Sequence, residues 1–123
     1  MRYLILCCFN EDRWNGIAES ERAEIMRDYA AWVEGTVASG QHRATVKLQP
    51  VAAAKTIRMR SGKTVVTDGP FAETKEQLGG YHVLECESLE QALAAARQIP
   101  PLRAGGTVEV RPLDTSASVG PAR

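Results

Sequence analysis

The first apolar segment of the chain places hydrophobic side chains on both faces of a predicted strand. Within residues 2–9, Tyr3 and Ile5 fall on one face, whereas Leu4 and Leu6 fall on the other. A strand in a sheet with one solvated face should instead alternate apolar and polar positions. We therefore expect both faces of this strand to be covered.

Apolar spacing and end signals predict two helices and five further strands. A stripe at helical spacing predicts a helix over residues 18–38. Ser88 and Gln91 form a capping box that begins a second helix, which ends before Pro100. The further strands are predicted at residues 43–48, 56–60, 63–67, 81–87 and 107–111.

The order of these elements predicts an α+β fold. Ser61 and Gly62 form a two-residue turn, so the strands on either side of them make an inserted hairpin. Without the hairpin the order is βαββαβ, the ferredoxin-like arrangement. Its helices cover one face of the sheet, and a second copy of the chain on the bare face would explain the two-faced first strand. We expect a homodimer, a dimeric α+β barrel, with a domain at residues 1–112 and a flexible tail at 113–123.

Composition and charge narrow the classes of partner. The chain has 123 residues, with fifteen basic and fifteen acidic side chains. Nucleic-acid binders and polybasic membrane anchors need a basic excess, which is absent here. The first apolar run is also too short to span a bilayer. We expect a cytoplasmic protein with no nucleic-acid or membrane partner, and the three cysteines, as buried thiols, fit a reducing compartment.

Polar and titratable groups are concentrated around residues 68–80, which read DGPFAETKEQLGG. Asp68 is a candidate general acid or base, and His82 is a second candidate because imidazole titrates near neutral pH. The candidate ligand-binding residues are Glu73, Lys75, Glu76, Tyr81 and Arg58.

Each candidate also has a purely structural interpretation. Asp68 could cap the turn, and His82 could be a structural histidine on its strand. The ligand-binding candidates could be solvated, ion-paired or packing groups. The histidines and cysteines do not show the spacing of metal ligands, and the chain has no dinucleotide or phosphate-loop fingerprint, so we expect neither metal nor cofactor.

The run DGPFAETKEQLGGYHVLE resembles the signature of the DGPF-type branch of the YCII-related proteins. The resemblance extends to Leu48-Gln49-Pro50, to residues 56–63 and to residues 109–112. It implies a ferredoxin-like fold in homodimers. Related YCII proteins carry a His-Asp pair proposed as an active site, but His82 stands where aromatic residues are usual in this branch.

Two hypotheses about function follow. In the first, the protein is an enzyme that performs acid–base chemistry on an unidentified small molecule in a cleft beside the signature stretch. In the second, it is a non-catalytic module that binds a small ligand or a regulatory partner.

Overall fold

The computed structural model describes residues 1–70 and 75–114. Its helices are α1 (Glu11–Asn15), α2 (Glu19–Ala38) and α3 (Leu89–Ala96). Short 3₁₀ segments lie at Val51–Ala53 and Pro100–Ala104. The strands are β1 (Arg2–Phe9), β2 (His42–Lys47), β3 (Lys55–Arg60), β4 (Lys63–Asp68), β5 (Gln77–Glu85) and β6 (Thr107–Pro112).

Four of the strands form one antiparallel sheet in the order β2-β5-β1-β6. Strands β3 and β4 form a separate two-stranded hairpin, whose turn residues Ser61 and Gly62 both have positive φ. With the hairpin set aside, the order and topology are those of the predicted ferredoxin-like α+β fold, which is confirmed.

The helices pack on one face of this sheet. Tyr3 and Ile5 of β1 are buried on that face together with Leu84 of β5 and with Ala92 and Ala96 of α3. Because side chains alternate along a strand, Leu4 and Leu6 point to the other face, where they are only half-buried. The predicted bare apolar face is therefore present in the single chain.

Strand β5 begins four residues earlier than predicted, so the Gly79-Gly80 pair lies inside it. A Cβ on Gly80 would lie 2.5 Å from the backbone oxygen of Val46 on the neighbouring strand. The glycine therefore permits a close approach of two strands.

Helix α1 was not predicted, because residues 10–15 contain few apolar side chains. The Asn10 side chain accepts a hydrogen bond of 2.9 Å from the backbone N–H of Arg13, which caps the helix. This short helix places Arg13 and Trp14 beside the end of β1.

Candidate functional site

His82 is a polar side chain buried at the centre of the helix-covered face. It is 2% exposed and lies on β5 opposite Ile5 of β1 and Thr45 of β2. Its ring packs edge-to-face against Trp32 of α2, with centroids 4.9 Å apart. A buried imidazole needs hydrogen-bond partners on both nitrogens.

Both ring nitrogens of His82 have such partners. Nε2 lies 2.5 Å from the hydroxyl oxygen of Tyr29 on α2, and Nδ1 lies 3.0 Å from Oγ1 of Thr45. Beyond these, Thr45 Oγ1 lies 2.8 Å from Nε2 of His42, and the Tyr29 hydroxyl lies 3.3 Å from Sγ of Cys7. Five side chains thus form one hydrogen-bonded chain from the half-buried His42 to Cys7.

The five groups can all be satisfied with neutral side chains. The Cys7 thiol donates to Tyr29, Tyr29 donates to Nε2 of His82, Nδ1–H of His82 donates to Thr45, and Thr45 donates to His42. The reverse direction satisfies the internal bonds equally well. A chain that works in both directions is able to conduct a proton between its ends.

Burial keeps the central members of this chain uncharged. Desolvation, with a smaller contribution from the charge of His42, lowers the pKa of His82 to about 4. Burial raises the pKa of Tyr29 well above its ordinary value. Burial also raises the pKa of Cys7, although the hydrogen bond from Tyr29 opposes this shift. All three side chains are therefore neutral at physiological pH.

A cavity of about 310 Å³ opens beside this chain, between the sheet, α2 and the segment that leads into β6. His82, Tyr29, Thr45 and Cys7 all contribute to its wall. The rest of the wall is mostly apolar and includes Phe9, Trp14, Met26, Val33, Leu48 and Leu102. A concave, apolar site with a few convergent polar groups is the usual form of a small-molecule site.

Arg13 of α1 also lines this cavity and lies against the turn before β6. Gly105 in that turn has φ +90°, and a Cβ there would lie 2.5 Å from Cζ of Arg13. The absence of a side chain at Gly105 therefore lets the guanidinium rest on the backbone of the turn. Among the described residues, the guanidinium has no ion-pair partner.

Of the described residues that the sequence predicted to form a site, only His82 lines the cavity. Asp68 ends β4 with its side chain 85% exposed and forms an ion pair with Lys55, Nζ to Oδ1 2.5 Å. Its proposed catalytic role stays a prediction.

The four described residues predicted to bind a ligand are not among those that line the cavity. Lys75 and Glu76 are exposed, and Glu76 Oε2 accepts a bond of 3.3 Å from the hydroxyl of Thr107. Tyr81 is half-buried on the face of β5 opposite His82, and Arg58 is exposed on β3. Glu73 lies outside the described residues. The roles of these five side chains in binding stay predictions.

Sequence reasoning missed the partners of His82. Tyr29 falls in the apolar stripe of a helix, and Cys7 has the pattern of a buried hydrophobic residue. Thr45 carries no motif. Its one signal is strand pairing, since it lies opposite His82 once β2 and β5 are aligned.

Within residues 1–70 and 75–114, no group of three or more His, Cys, Asp or Glu side chains is arranged to hold a metal ion. In the same ranges, no helix is both long enough and apolar enough to cross a membrane.

The fold and the cavity define a ferredoxin-like α+β protein with a ligand-sized cavity on the helix-covered side of its sheet. The chain belongs to the YCII-related domain family, whose family model matches residues 1–114. This confirms the family that the signature stretch indicated.

Individual proteins that are similar to this chain include one relative in sequence and one solved structure. An uncharacterized protein of Rhizobium meliloti (strain 1021) is 40% identical over 114 residues, which cover 92% of each chain. Among solved structures, the 5-chloro-2-hydroxyhydroquinone dehydrochlorinase of Burkholderia phenoliruptrix AC1100, in complex with 2,5-dihydroxybenzoquinone, matches with a TM-score of 0.54. The match covers 93% of this chain and 94% of the dehydrochlorinase at 15% identity, so it supports the fold alone.

Proposed function

We propose that this protein is an enzyme that moves a proton to or from a small molecule bound in the cavity between α2 and the sheet. The observation that carries the proposal is the hydrogen-bonded chain through His82, because it joins the cavity wall to the half-buried His42. A buried imidazole needs partners on both nitrogens in any case, but the extension of the chain beyond these partners to His42 and Cys7 exceeds that need.

Tyr29 is the group proposed to exchange the proton with the substrate. Tyr29 and His82 both line the cavity, and the Tyr29 hydroxyl lies between Nε2 of His82 and Sγ of Cys7. As the Tyr29 oxygen accepts a proton from the substrate, its own proton passes to Nε2 of His82. The proton on Nδ1 then moves to Thr45, and the Thr45 proton moves to Nε2 of His42. The substrate leaves as its conjugate base, and the positive charge resides on His42.

The dehydrochlorinase with the same fold supports a catalytic assignment. Its name describes an enzyme that acts on a chlorinated hydroxyhydroquinone, and its structure holds 2,5-dihydroxybenzoquinone. Acid–base chemistry on a small ring compound is therefore within the range of this fold.

The test uses ring C–H exchange as a direct readout of proton transfer. The protein is incubated in D₂O with 2,5-dihydroxybenzoquinone and a panel of related hydroxyquinones and hydroxybenzoates, and loss of the ring C–H signal is followed by ¹H NMR. We expect acceleration over buffer for at least one compound, and a loss of about 100-fold or more in Tyr29→Phe and in His82→Gln. Glu21→Gln, on the exposed side of the same helix, is the matched control.

Two results would contradict the proposal. One is full exchange activity in Tyr29→Phe that is folded by circular dichroism. The other is the absence of protein-dependent exchange across the whole panel.

A non-catalytic ligand-binding or regulatory module is the second candidate, and the mostly apolar wall of the cavity favours it. This candidate predicts that a panel compound binds with the same affinity to the wild type and to Tyr29→Phe while neither protein accelerates exchange. Titration calorimetry on the two proteins distinguishes the candidates.

We further propose that the protein is a homodimer through the open face of the sheet. Leu4 and Leu6 of β1 and Val83 of β5 supply adjacent apolar side chains on that face, and the helices cover only the other side. Light scattering coupled to size exclusion should give twice the chain mass, and Leu6→Glu should give the monomer. A wild-type monomer at micromolar concentration would overturn this assembly.

A cytoplasmic location is proposed on the state of the thiols. Cys7, Cys8 and Cys86 are all unpaired in the structure, as expected in a reducing compartment. Fractionation of the native host with antibody detection tests this location, and recovery of the protein outside the cytoplasm would contradict it.

A further inference from the structure

The charged side chains of the cavity wall are of one sign. Arg13 and Lys47 both line the cavity, and no Asp or Glu of the described residues does. The whole chain is neutral, with fifteen basic and fifteen acidic residues, so this local excess does not reflect composition. Neither cation has an ion-pair partner among the described residues.

Aromatic rings lie beside the same cations. Phe9 and Trp14 line the cavity and meet edge-to-face, with centroids 6.4 Å apart. The Phe9 ring fills the space above Gly79, where a Cβ would overlap its Cε1 atom. Flat aromatic walls favour a flat apolar ligand, which they contact by stacking or by edge-to-face packing.

The size of the cavity limits the ligand further. At about 310 Å³ it lies at the lower end of the range for small-molecule sites, which begins near ~300 Å³. A compound of one or two rings fits such a volume.

From these three observations we infer that the cavity binds a small aromatic anion, with its acidic group on the guanidinium of Arg13. Arginine is suited to this role because its planar fork of donors matches a carboxylate. Lys47 adds a second positive charge at the same cavity. The inference rests on the proposed function in taking this cavity as the substrate site, and it adds the chemical class of the substrate.

The arrangement also assigns a role to Gly105. Any side chain at this position would displace the guanidinium of Arg13, since even a Cβ would overlap it. Gly105 is therefore a positioning residue for the cation, and its substitution should act on anion binding through Arg13.

The test compares 2-naphthoate with 2-naphthamide, a neutral compound of nearly the same shape, by titration calorimetry on the folded wild type. We expect the carboxylate to bind at least about ten-fold more tightly than the amide. Arg13→Gln should remove most of that preference and leave the affinity for the amide unchanged. Arg97→Gln, which removes an exposed arginine outside the cavity wall, should change neither affinity.

Gly105→Ala should reproduce the loss seen in Arg13→Gln. Gly40→Ala is the matched control, because Gly40 has a similar positive φ of +79° but no atom within 4 Å of the point that an added Cβ would occupy. Both Gly105→Ala and Gly40→Ala strain the backbone, because each places alanine at a positive φ. Only Gly105→Ala also displaces the guanidinium of Arg13.

Equal affinities for the carboxylate and the amide in the wild type would overturn the inference. So would failure of 2-naphthoate to bind, or an unchanged affinity in Arg13→Gln. These results would leave the proton-transfer proposal standing, because that proposal is tested separately by the exchange activity of the wild type and of Tyr29→Phe. Conversely, a wild type that binds 2-naphthoate more tightly than 2-naphthamide but accelerates no exchange would overturn the proton-transfer proposal and leave the anion-binding inference standing.

Discussion

Lowering the pH from 7 to 5 should destabilise the folded protein, because His82 is held neutral in the core. Burial and the nearby charge of His42 lower its pKa to about 4 in the folded state, whereas an unfolded chain has a histidine pKa of about 6.5. Between these values the unfolded state binds a proton that the folded state does not. The stabilisation is therefore present above about pH 6.5 and is lost as the pH falls toward about 4.

The magnitude follows from the two pKa values. Their full difference corresponds to roughly 3 kcal/mol, of which about 2 kcal/mol falls between pH 7 and pH 5. The side chains that face His82 are Tyr29 and Trp32 from α2, Thr45 from β2 and Ile5 from β1. Because none of them is a carboxylate, they offer no counter-charge to an imidazolium.

The assay is urea unfolding at both pH values and constant ionic strength, for the wild type and for His82→Gln. Glutamine keeps a hydrogen-bond donor and an acceptor but does not titrate. The carboxylates of the chain titrate in both proteins, so their contribution to the pH dependence of the unfolding free energy cancels in the comparison. The wild type should lose about 2 kcal/mol more than the variant over this interval. Equal losses in the two proteins would refute the reasoning, as would an NMR titration of the wild type in which His82 titrates near its ordinary pKa.

Four further substitutions test the structure at single positions. Gly35→Ala in α2 should raise the free energy of unfolding by about 0.5–1 kcal/mol in urea titrations, because nothing lies within 4 Å of the added Cβ and alanine favours a helix. Gly80→Ala should lower it by about 1–3 kcal/mol, because the Cβ would meet the backbone oxygen of Val46 at 2.5 Å; an unchanged melting temperature would contradict this. Ser88→Ala removes the cap of α3 and should cost about 1 kcal/mol, measured in the same way. Asp68→Asn should retain C–H exchange activity if the cavity is the site, whereas its loss would support the catalytic role inferred from the sequence.

The fold could be predicted because its signals are local. The helical stripe over residues 18–38 and the cap at Ser88 each identify an element without knowledge of the rest of the chain. Strand β1 has apolar side chains on both faces, but the predicted helices cover only one face of the sheet. From this difference we expect an apolar sheet face that the helices leave bare.

The two errors in the elements have a common physical cause. The start of β5 and the existence of α1 depend on contacts that local periodicity does not contain. In β5, Gly80 has no side chain, and the backbone of β2 can therefore lie close to it. Helix α1 is short, is capped by Asn10 and contains no buried residue. The start of β5 depends on tertiary packing, and α1 depends on a single cap. The spacing of apolar residues therefore predicts neither the start of β5 nor α1.

The candidate site could be predicted only in part, because its members are distant along the chain. His82 was identified by its chemistry. Its partners Tyr29 and Thr45 lie 53 and 37 residues away in sequence and reach it only through the packing of α2 and the register of β2. A tyrosine in an amphipathic stripe is indistinguishable from a packing residue until the structure shows what its hydroxyl contacts.

The sequence and the structure therefore direct attention to different parts of the molecule for a physical reason. A dense cluster of charged residues is conspicuous in a sequence, but Asp68, Lys75 and Glu76 are exposed, where solvent satisfies and screens their charges. The chain from Cys7 to His42 differs because its central member, His82, is buried and has both nitrogens satisfied by side chains, and in the described residues no buried side-chain nitrogen or oxygen is left without a partner. In a low-dielectric site such groups influence a bound molecule more strongly than exposed charges do. For this reason we assign the chemistry to the cavity beside His82 rather than to the signature stretch.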